Sequence, residues 1–453
     1  MARRLTRSRD GRPAPGVRIV HLGLGNFFRA HQAWYTDRAG DADQWGIAAF
    51  SGRSVGIGSE LARQENLYTL VTVGAEGNEY RVISSIAAVH SGGDVDALLG
   101  YLVDPQVSVL TMTVTEAGYR RNDKGRLDLD DPDVAADIEA IAAGNLHAVR
   151  TAPGKLVAGL AARRQAGAGP ISLVCCDKLP DNGVMLAGVL GDLAGRAAPD
   201  LVGYLSSEVG FITTLVDRVT PRATDATLTA VRDERGVDDQ AALATEPFSE
   251  WVLAGEFTGP RPDWEAAGAE FVDDLVPYEL RKLWLLNGAR SLLAYAATIR
   301  GHRTASEAVA DPIVRGWLDE WWDVGQRQLP LPDDAVRPYR AALLDRLGNP
   351  RMRDRLSRLA ADGSQKIPVR IVPALVADRK AGNSPLGAER VVAAWTLHLR
   401  GRGAPFNDAR ADTVRALGEG SLAESVGKVC DFLEIADRDS RASILALAAR
   451  LEG

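Results

Sequence analysis

The chain has 453 residues, 46% hydrophobic and 25% charged, with a formal net charge of −7 at pH 7. This is an ordinary globular composition on a chain long enough to predict two cores, and its acidic balance and lack of a run of about 18 apolar residues predict neither nucleic-acid nor membrane partners. Three cysteines, two of them adjacent (Cys175, Cys176, Cys430), exclude a disulfide framework and a four-ligand zinc site, so no metal is expected.

The first sixteen residues, MARRLTRSRDGRPAPG, are basic but have no apolar segment behind them. They read as a frayed, solvated tail rather than a secretory signal, and the expected setting is cytoplasmic. Val17–Leu22 is a short apolar run closing on Gly23-Leu24-Gly25, and FFRAHQAWYTDRA follows: strand, tight turn, helix. This matches two thirds of a dinucleotide fingerprint, in which glycines let the backbone approach a pyrophosphate at a helix N-terminus. The third glycine is replaced by Phe28. Gly23, Gly25, Phe27, Phe28 and Arg29 form the predicted cofactor turn, with Arg29 either touching a phosphate or lying on the helix surface. A purely steric reason for the glycines stands beside that reading. His21 reads as a packed core histidine and His31 as structural.

A second strand, Trp45–Phe50, follows at βαβ distance and runs into Ser51-Gly52-Arg53-Ser54, without the acid that would hold an adenosine ribose. Arg53 either meets a 2′-phosphate, which would admit NADP, or is solvated while NAD binds through the backbone. Further strands are expected at Tyr68–Val73, Val107–Val114 and Ile171–Cys176, with helices over Val134–Ala143 and Gly183–Ala197. The alternation predicts an α/β fold with a doubly wound parallel sheet. Glu116, placed at the end of a strand on the sheet's carboxyl edge, either faces the nicotinamide side or caps a turn.

Beyond about residue 275 strand-like runs vanish and helical patterns dominate. The expected division is a Rossmann-type dinucleotide-binding domain over 1–275 and a mostly α-helical substrate-binding domain over 276–453. Trp317, Trp321 and Trp322 share a helix at core spacing. The most informative stretch is Glu279-Leu-Arg-Lys282-Leu-Trp-Leu-Leu-Asn287-Gly-Ala-Arg290. On an α-helix, positions 282, 287 and 290 fall at about 0°, 140° and 80°, on one side. A buried lysine can take a proton from an alcohol, and an amide can donate to a developing oxyanion. The alternative is that Lys282 snorkels to solvent and Asn287 is an interface polar residue.

Several blocks in order carry a resemblance: GLGNFFRAHQAWYTD (23–37), LYTLVTV (67–73), TVTEAGY (113–119), CCDKLPDNG (175–183), FITTLVDRVTP (211–221), KLWLLNGARS (282–291) and DGSQKIP (362–368). The chain resembles the long-chain polyol dehydrogenases, the mannitol dehydrogenase family, which includes fructuronate and tagaturonate reductases. The resemblance implies an enzyme with a site in the cleft between the two domains. It implies Lys282 as general base, Asn287 as oxyanion donor, Asp217 near the reacting hydroxyls or the lysine, and Glu279 in proton passage to solvent. It further implies Arg358 and Lys366 as substrate-binding cations, although the residues alone read as surface charges.

Two positions depart from the family pattern. Lys178 stands where an asparagine donor is usual, and Arg290 where a substrate-binding histidine is usual. The added charge would suit a carboxylate or phosphate, would further depress a nearby lysine base, or would degrade catalysis. The expected function is an NAD(P)-dependent oxidoreductase interconverting a polyol and a ketose of the mannitol/fructose type. The alternatives are a keto-hexuronate reductase and a catalytically impaired cofactor- or sugar-binding homologue. Expected partners are a small sugar alcohol, ketose or hexuronate, with the chain a monomer or small homo-oligomer.

Overall fold

Eleven strands lie among the described residues of the computed structural model, which are 3–52, 56–221, 223–352 and 354–453. They are β1 (Val17–Leu22), β2 (Gly46–Phe50), β3 (Tyr68–Val73), β4 (Asn78–Ile83), β5 (Ile86–His90), β6 (Val109–Met112), β7 (Ile171–Cys175), β8 (Val209–Asp217), β9 (Leu243–Thr245), β10 (Glu250–Ala254) and β11 (Glu270–Val272). All belong to the first of two units, Met1–Leu275; the second is Val276–Gly453.

The main sheet runs β11-β10-β8-β7-β6-β1-β2-β5. From β5 to β8 every pairing is parallel, while β10 joins β8 antiparallel and β11 joins β10 parallel. The chain builds outward from β1 through β2 to β5, then returns to place β6 on the other side of β1. That reversal is the switch point of a doubly wound sheet. β2, β6 and β7 are buried at every residue, which explains their near-continuous apolar runs. Alternate residues feed two cores: Val20, Leu110 and Leu173 on one face, Ile19, Val109 and Val174 on the other. Tyr68–Val73 is a strand, but it belongs to a separate sheet of order β4-β3-β9.

The N-terminal stretch departs from its expected frayed state. Residues 3–16 are docked, because Leu5 is buried against Leu67, Val71 and Val231. Arg3 forms a two-pronged pair with Asp10 at 2.6 and 2.7 Å, and Arg7 donates to the carbonyls of Ser84 and Ile86 at 3.2 and 2.7 Å. The arginines that made the segment look solvated are what fasten it.

Among its described residues, the second unit's named elements are all helices. At its centre Leu386–Leu399 is buried from Gly387 onward and packs on Pro312–Arg327 and Arg438–Glu452. A side chain at Gly387 would collide with the backbone of Glu320 and Trp321, so glycine sets that close crossing. No helix among the described residues is long and apolar enough to cross a membrane.

Candidate active site

In the first unit, the glycine turn sits at the switch point. Gly23 leaves β1 with φ of +111°, and the N–H groups of Gly23 and Leu24 donate to the Phe50 carbonyl at 3.0 and 2.9 Å. A Cβ on Gly23 would run into the carbonyl of Thr113, the residue after β6, so only glycine fits. Gly25 is exposed, begins the helix Asn26–Ala30 without a side-chain cap, and a Cβ there would meet nothing nearer than the Gly23 carbonyl at 3.6 Å.

Two residues of the predicted cofactor turn point inward instead. Phe28 is fully buried and stacks on His21, ring centroids 3.6 Å apart. Arg29 is 3% exposed and so does not lie on the helix surface. Its guanidinium donates to the Ala241 carbonyl and, at 2.7 Å, to Asn26 Oδ1, and lies 5.4 Å from the Tyr68 ring centroid. Ala241 lies two residues before β9 of the small sheet, while Asn26 opens the helix that carries Arg29. His21 is held by Thr111 and Thr113, and burial pushes its imidazole down to about 3. Arg53 lies outside the described residues.

Phe27, Lys178, His31 and Asp217 come together in one corner of this unit. The Phe27 ring lies 5.0 Å from His31 and 5.3 Å from Lys178 Nζ, a cation–π spacing. His31 is fully buried, donates from Nε2 to the Glu250 carbonyl at 2.9 Å, and is pushed down to about 3 chiefly by burial, with Lys178 and Asp217 among the charges it senses. Asp217 closes β8 and is 4% exposed. Glu116 does not end a strand: β6 stops at Met112, and Glu116 opens a short 3₁₀ turn, 73% exposed and paired with Arg121 at 3.3 Å.

One residue beside Lys178 escaped the sequence reading. Asp177 accepts from Val114 N–H at 3.1 Å and from the Tyr119 hydroxyl, tying the loop after β6 to the loop after β7. Asn182 extends the tie, donating to the carbonyls of Asp177 and Thr214 at 2.9 and 2.8 Å. Burial pushes the Asp177 carboxyl up to about 7. An unfolded aspartate titrates near about 3.9, so the native state holds the proton more tightly. That stabilisation is complete below about pH 4 and is lost as pH rises through about 7. Wild type should therefore lose stability relative to Asp177→Asn between pH 4 and 7 in denaturant titrations; parallel profiles would contradict this.

In the second unit, the helical stretch that carries Glu279 to Arg290 is not wound uniformly. Val276–Arg281 is α-helical, Lys282–Gly288 is π-helical, Ala289–Leu292 is α-helical and Leu293–Ala297 is again π-helical. Hydrogen bonding from i to i+5 winds the chain through a smaller angle per residue than an α-helix, so Asn287 lies nearer in angle to Lys282 than the α-helical value of about 140°. Both are half-buried, as is Glu279 one turn earlier, so Lys282 is not the fully buried lysine the sequence suggested.

The wide winding is buttressed from outside. Trp321 and Trp322, fully buried on Pro312–Arg327, donate their indole N–H groups to the carbonyls of Trp284 and Leu285 at 2.9 and 2.8 Å. A Cβ on Gly288 would collide with the Trp321 ring, so glycine lets the indole in. Trp321→Phe keeps an aromatic ring but removes the indole N–H and orphans a buried carbonyl, and should cost about 1–3 kcal/mol in unfolding of the second unit. An unchanged midpoint would count against this support.

Around the π-segment stand several cations. Arg290 lies 3.8 Å from Asp354, which also accepts from Arg358 at 3.3 Å. Arg358 is 79% exposed, and Lys366 donates to the carbonyls of Leu359 and Ala361. Arg370, which no motif marked, reaches the Asn287 carbonyl and Ser291 Oγ, each at 3.4 Å. Among the described residues no three or more His, Cys, Asp or Glu side chains gather as a metal site.

A doubly wound sheet with a glycine turn at its switch point, followed by a helical unit, defines a Rossmann-type two-domain protein. The mannitol dehydrogenase Rossmann domain matches residues 17–266, and the mannitol dehydrogenase C-terminal domain matches residues 274–440. The chain belongs to the mannitol dehydrogenase family. It is 37% identical to a D-mannonate oxidoreductase of Escherichia coli K12 over 398 residues, 85% of this chain and 80% of that protein. A substrate-free D-sorbitol dehydrogenase superposes with a TM-score of 0.90 at 25% identity, covering 100% of this chain and 96% of that one. The ternary complex of Pseudomonas fluorescens mannitol 2-dehydrogenase with NAD and D-mannitol gives 0.71 at 31% identity, covering 96% and 91%.

Proposed function

We propose that the protein is an NAD-dependent oxidoreductase interconverting a secondary hydroxyl and a ketone on an open-chain sugar derivative of the polyol/ketose type. The observation that carries this reading is the π-wound segment Lys282–Gly288, which bears both Lys282 and Asn287, each half-buried. Gly23, fixed at the switch point, and the uncapped, open turn at Gly25 fit a dinucleotide pyrophosphate. When bound, the nicotinamide supplies the hydride acceptor. Lys282 takes the hydroxyl proton, and Asn287 donates to the oxygen as it becomes a carbonyl. Glu279 passes the proton on toward water. In the first unit Lys178 serves as a second donor in place of an amide, Asp217 orients the reacting hydroxyls, and Phe27 borders the nicotinamide side. Arg358 and Lys366 add positive field around the substrate; Glu116 is left at the outer rim of the cofactor. Use of NADP would require Arg53 to reach a 2′-phosphate, which the ratio of KM values for the two cofactors measures.

A panel of hexitols and hexonates with each cofactor, followed by nicotinamide absorbance, tests the reading. Turnover is expected. Tight NADH binding with no turnover on any substrate would favour a cofactor-binding homologue instead. The keto-hexuronate reading is favoured by a specific observation, the cations of the second unit.

A further inference from the structure

The loops that leave β1, β6 and β7 at the carboxyl edge of the sheet are joined in a closed circuit. Thr113, the residue after β6, donates from Oγ1 to the Gly23 carbonyl at 2.9 Å. Its neighbour Val114 donates its N–H to Asp177 Oδ2 at 3.1 Å, and the Tyr119 hydroxyl donates to the same oxygen. Lys178 follows Asp177 in the chain, and its ammonium returns to the first loop, 5.3 Å from the Phe27 ring centroid. The circuit runs from the glycine turn through Thr113, Asp177 and Lys178 back to the helix that the turn opens.

Within this circuit Asp177 is anchored in depth. Tyr119 is fully buried, and its hydroxyl also lies 2.8 Å from Cys175 Sγ in the core. The Asp177 carbonyl is engaged as well, accepting from Leu179 N–H and from Asn182 Nδ2, each at 2.9 Å. The bond from Leu179 back to Asp177 makes Lys178 the central residue of a tight three-residue turn. Lys178 itself is exposed. A long lysine stem samples many rotamers and delivers its charge to one point only when the backbone beneath it is fixed, a demand far weaker for a short amide side chain. The carboxyl and the carbonyl of Asp177 fix that backbone from both sides.

We propose that Asp177 is a positioning residue: by clamping the loop after β6 to the loop after β7, it holds Lys178 at the apex of its turn and aims the ammonium at the reacting oxygen. This rests on the dehydrogenase reading, in which Lys178 is the second donor, and adds the residue through which that donor is placed. Asp177 acts through Lys178 and takes neither the proton nor the hydride.

The test uses the full chain with NAD and whichever hexitol or hexonate wild type turns over fastest. Asp177→Ala should lower kcat about 10–100-fold while KM and NADH affinity stay within about threefold, the pattern of a misplaced group rather than a lost binding contact. Asp177→Asn keeps an acceptor oxygen for both donors and should recover kcat to within about threefold of wild type. Tyr119→Phe keeps the buried ring, removes one arm of the clamp and should lower kcat about 3–10-fold. Lys178→Met should lower kcat about 100-fold, and adding Asp177→Ala to it should cost no more than about threefold further. A second readout needs neither cofactor nor turnover: methyl NMR of the reductively dimethylated protein, with the Lys178 signal assigned by its absence in Lys178→Arg. The Phe27 ring should displace that signal from the position of a solvated lysine. The displacement should vanish in Asp177→Ala and persist in Asp177→Asn. An undisplaced signal in wild type, a displaced one retained in Asp177→Ala, or kcat losses that multiply in the double variant overturns the positioning role and leaves the dehydrogenase reading intact. A displacement lost in Asp177→Ala and kept in Asp177→Asn, in a chain that turns over no substrate, supports the placement of Lys178 by Asp177 and overturns the dehydrogenase reading.

Discussion

Lys282→Met should lower kcat by at least about 1,000-fold, because it removes the only group proposed to take the hydroxyl proton while keeping an unbranched side chain of similar length. General acid–base catalysis supplies about 10²–10⁴ in rate, and the upper part of that range applies when the proton has no alternative acceptor. NADH affinity should stay within a few-fold, since the glycine turn lies in the other unit. The discriminating measurement is the single-turnover rate of hydride transfer with bound cofactor, which should fall together with kcat. Retention of more than about a tenth of the activity, or an unchanged single-turnover rate, would remove Lys282 from the reaction. Asn287→Ala should cost less, on the order of 10²-fold, as expected for one oxyanion donor.

The second large effect concerns the glycine turn, where two glycines do different work. Gly23→Ala places a Cβ against the Thr113 carbonyl at φ of +111°, so the end of β1 must shift from β6. Strain of this kind costs about 1–3 kcal/mol. The expected result is a less stable first unit and an NADH affinity weakened by about 100-fold or more. Gly25→Ala is different. Its backbone is extended, and the added methyl finds open space. Stability should change little, yet an approaching pyrophosphate would meet the methyl, and affinity should fall about 10-fold or more. Fluorescence titration with NADH beside thermal unfolding separates the two. If Gly25→Ala binds NADH as wild type does, the turn is not where the phosphates lie.

The parallel sheet was readable because its central strands are buried on both faces and so are written as unbroken apolar runs. β4, β5 and β9 were not, because NEYRVI, IAAVH and LAT are short or mixed and acquire strand character only from their neighbours. The orientation of Arg29 could not be seen from the helix it occupies. Its acceptor, the Ala241 carbonyl, lies 212 residues away, and the sheet that delivers it is built from non-local pairings. The docked N-terminus was missed for the same reason. Lys282 and Asn287 were readable as a pair, but α-helical periodicity gave their angular relation wrongly, since KLWLLNG carries no local mark of π-winding. What imposes it, the indoles of Trp321 and Trp322, lies 37 residues downstream. Arg370 had no signal, being one arginine among many until folding brings it to the Asn287 carbonyl.

The seven-residue π-segment also makes this stretch sensitive to chain length in a way that substitutions are not. Excising a single leucine, such as Leu285, would let the backbone relax to ordinary winding, and every later side chain would swing by about 100° around the axis. Gly288 would then no longer admit the indole, and Asn287 would turn away from Lys282. Such a shortened chain would keep its composition, its polarity pattern and nearly all its contacts, and lose its phase.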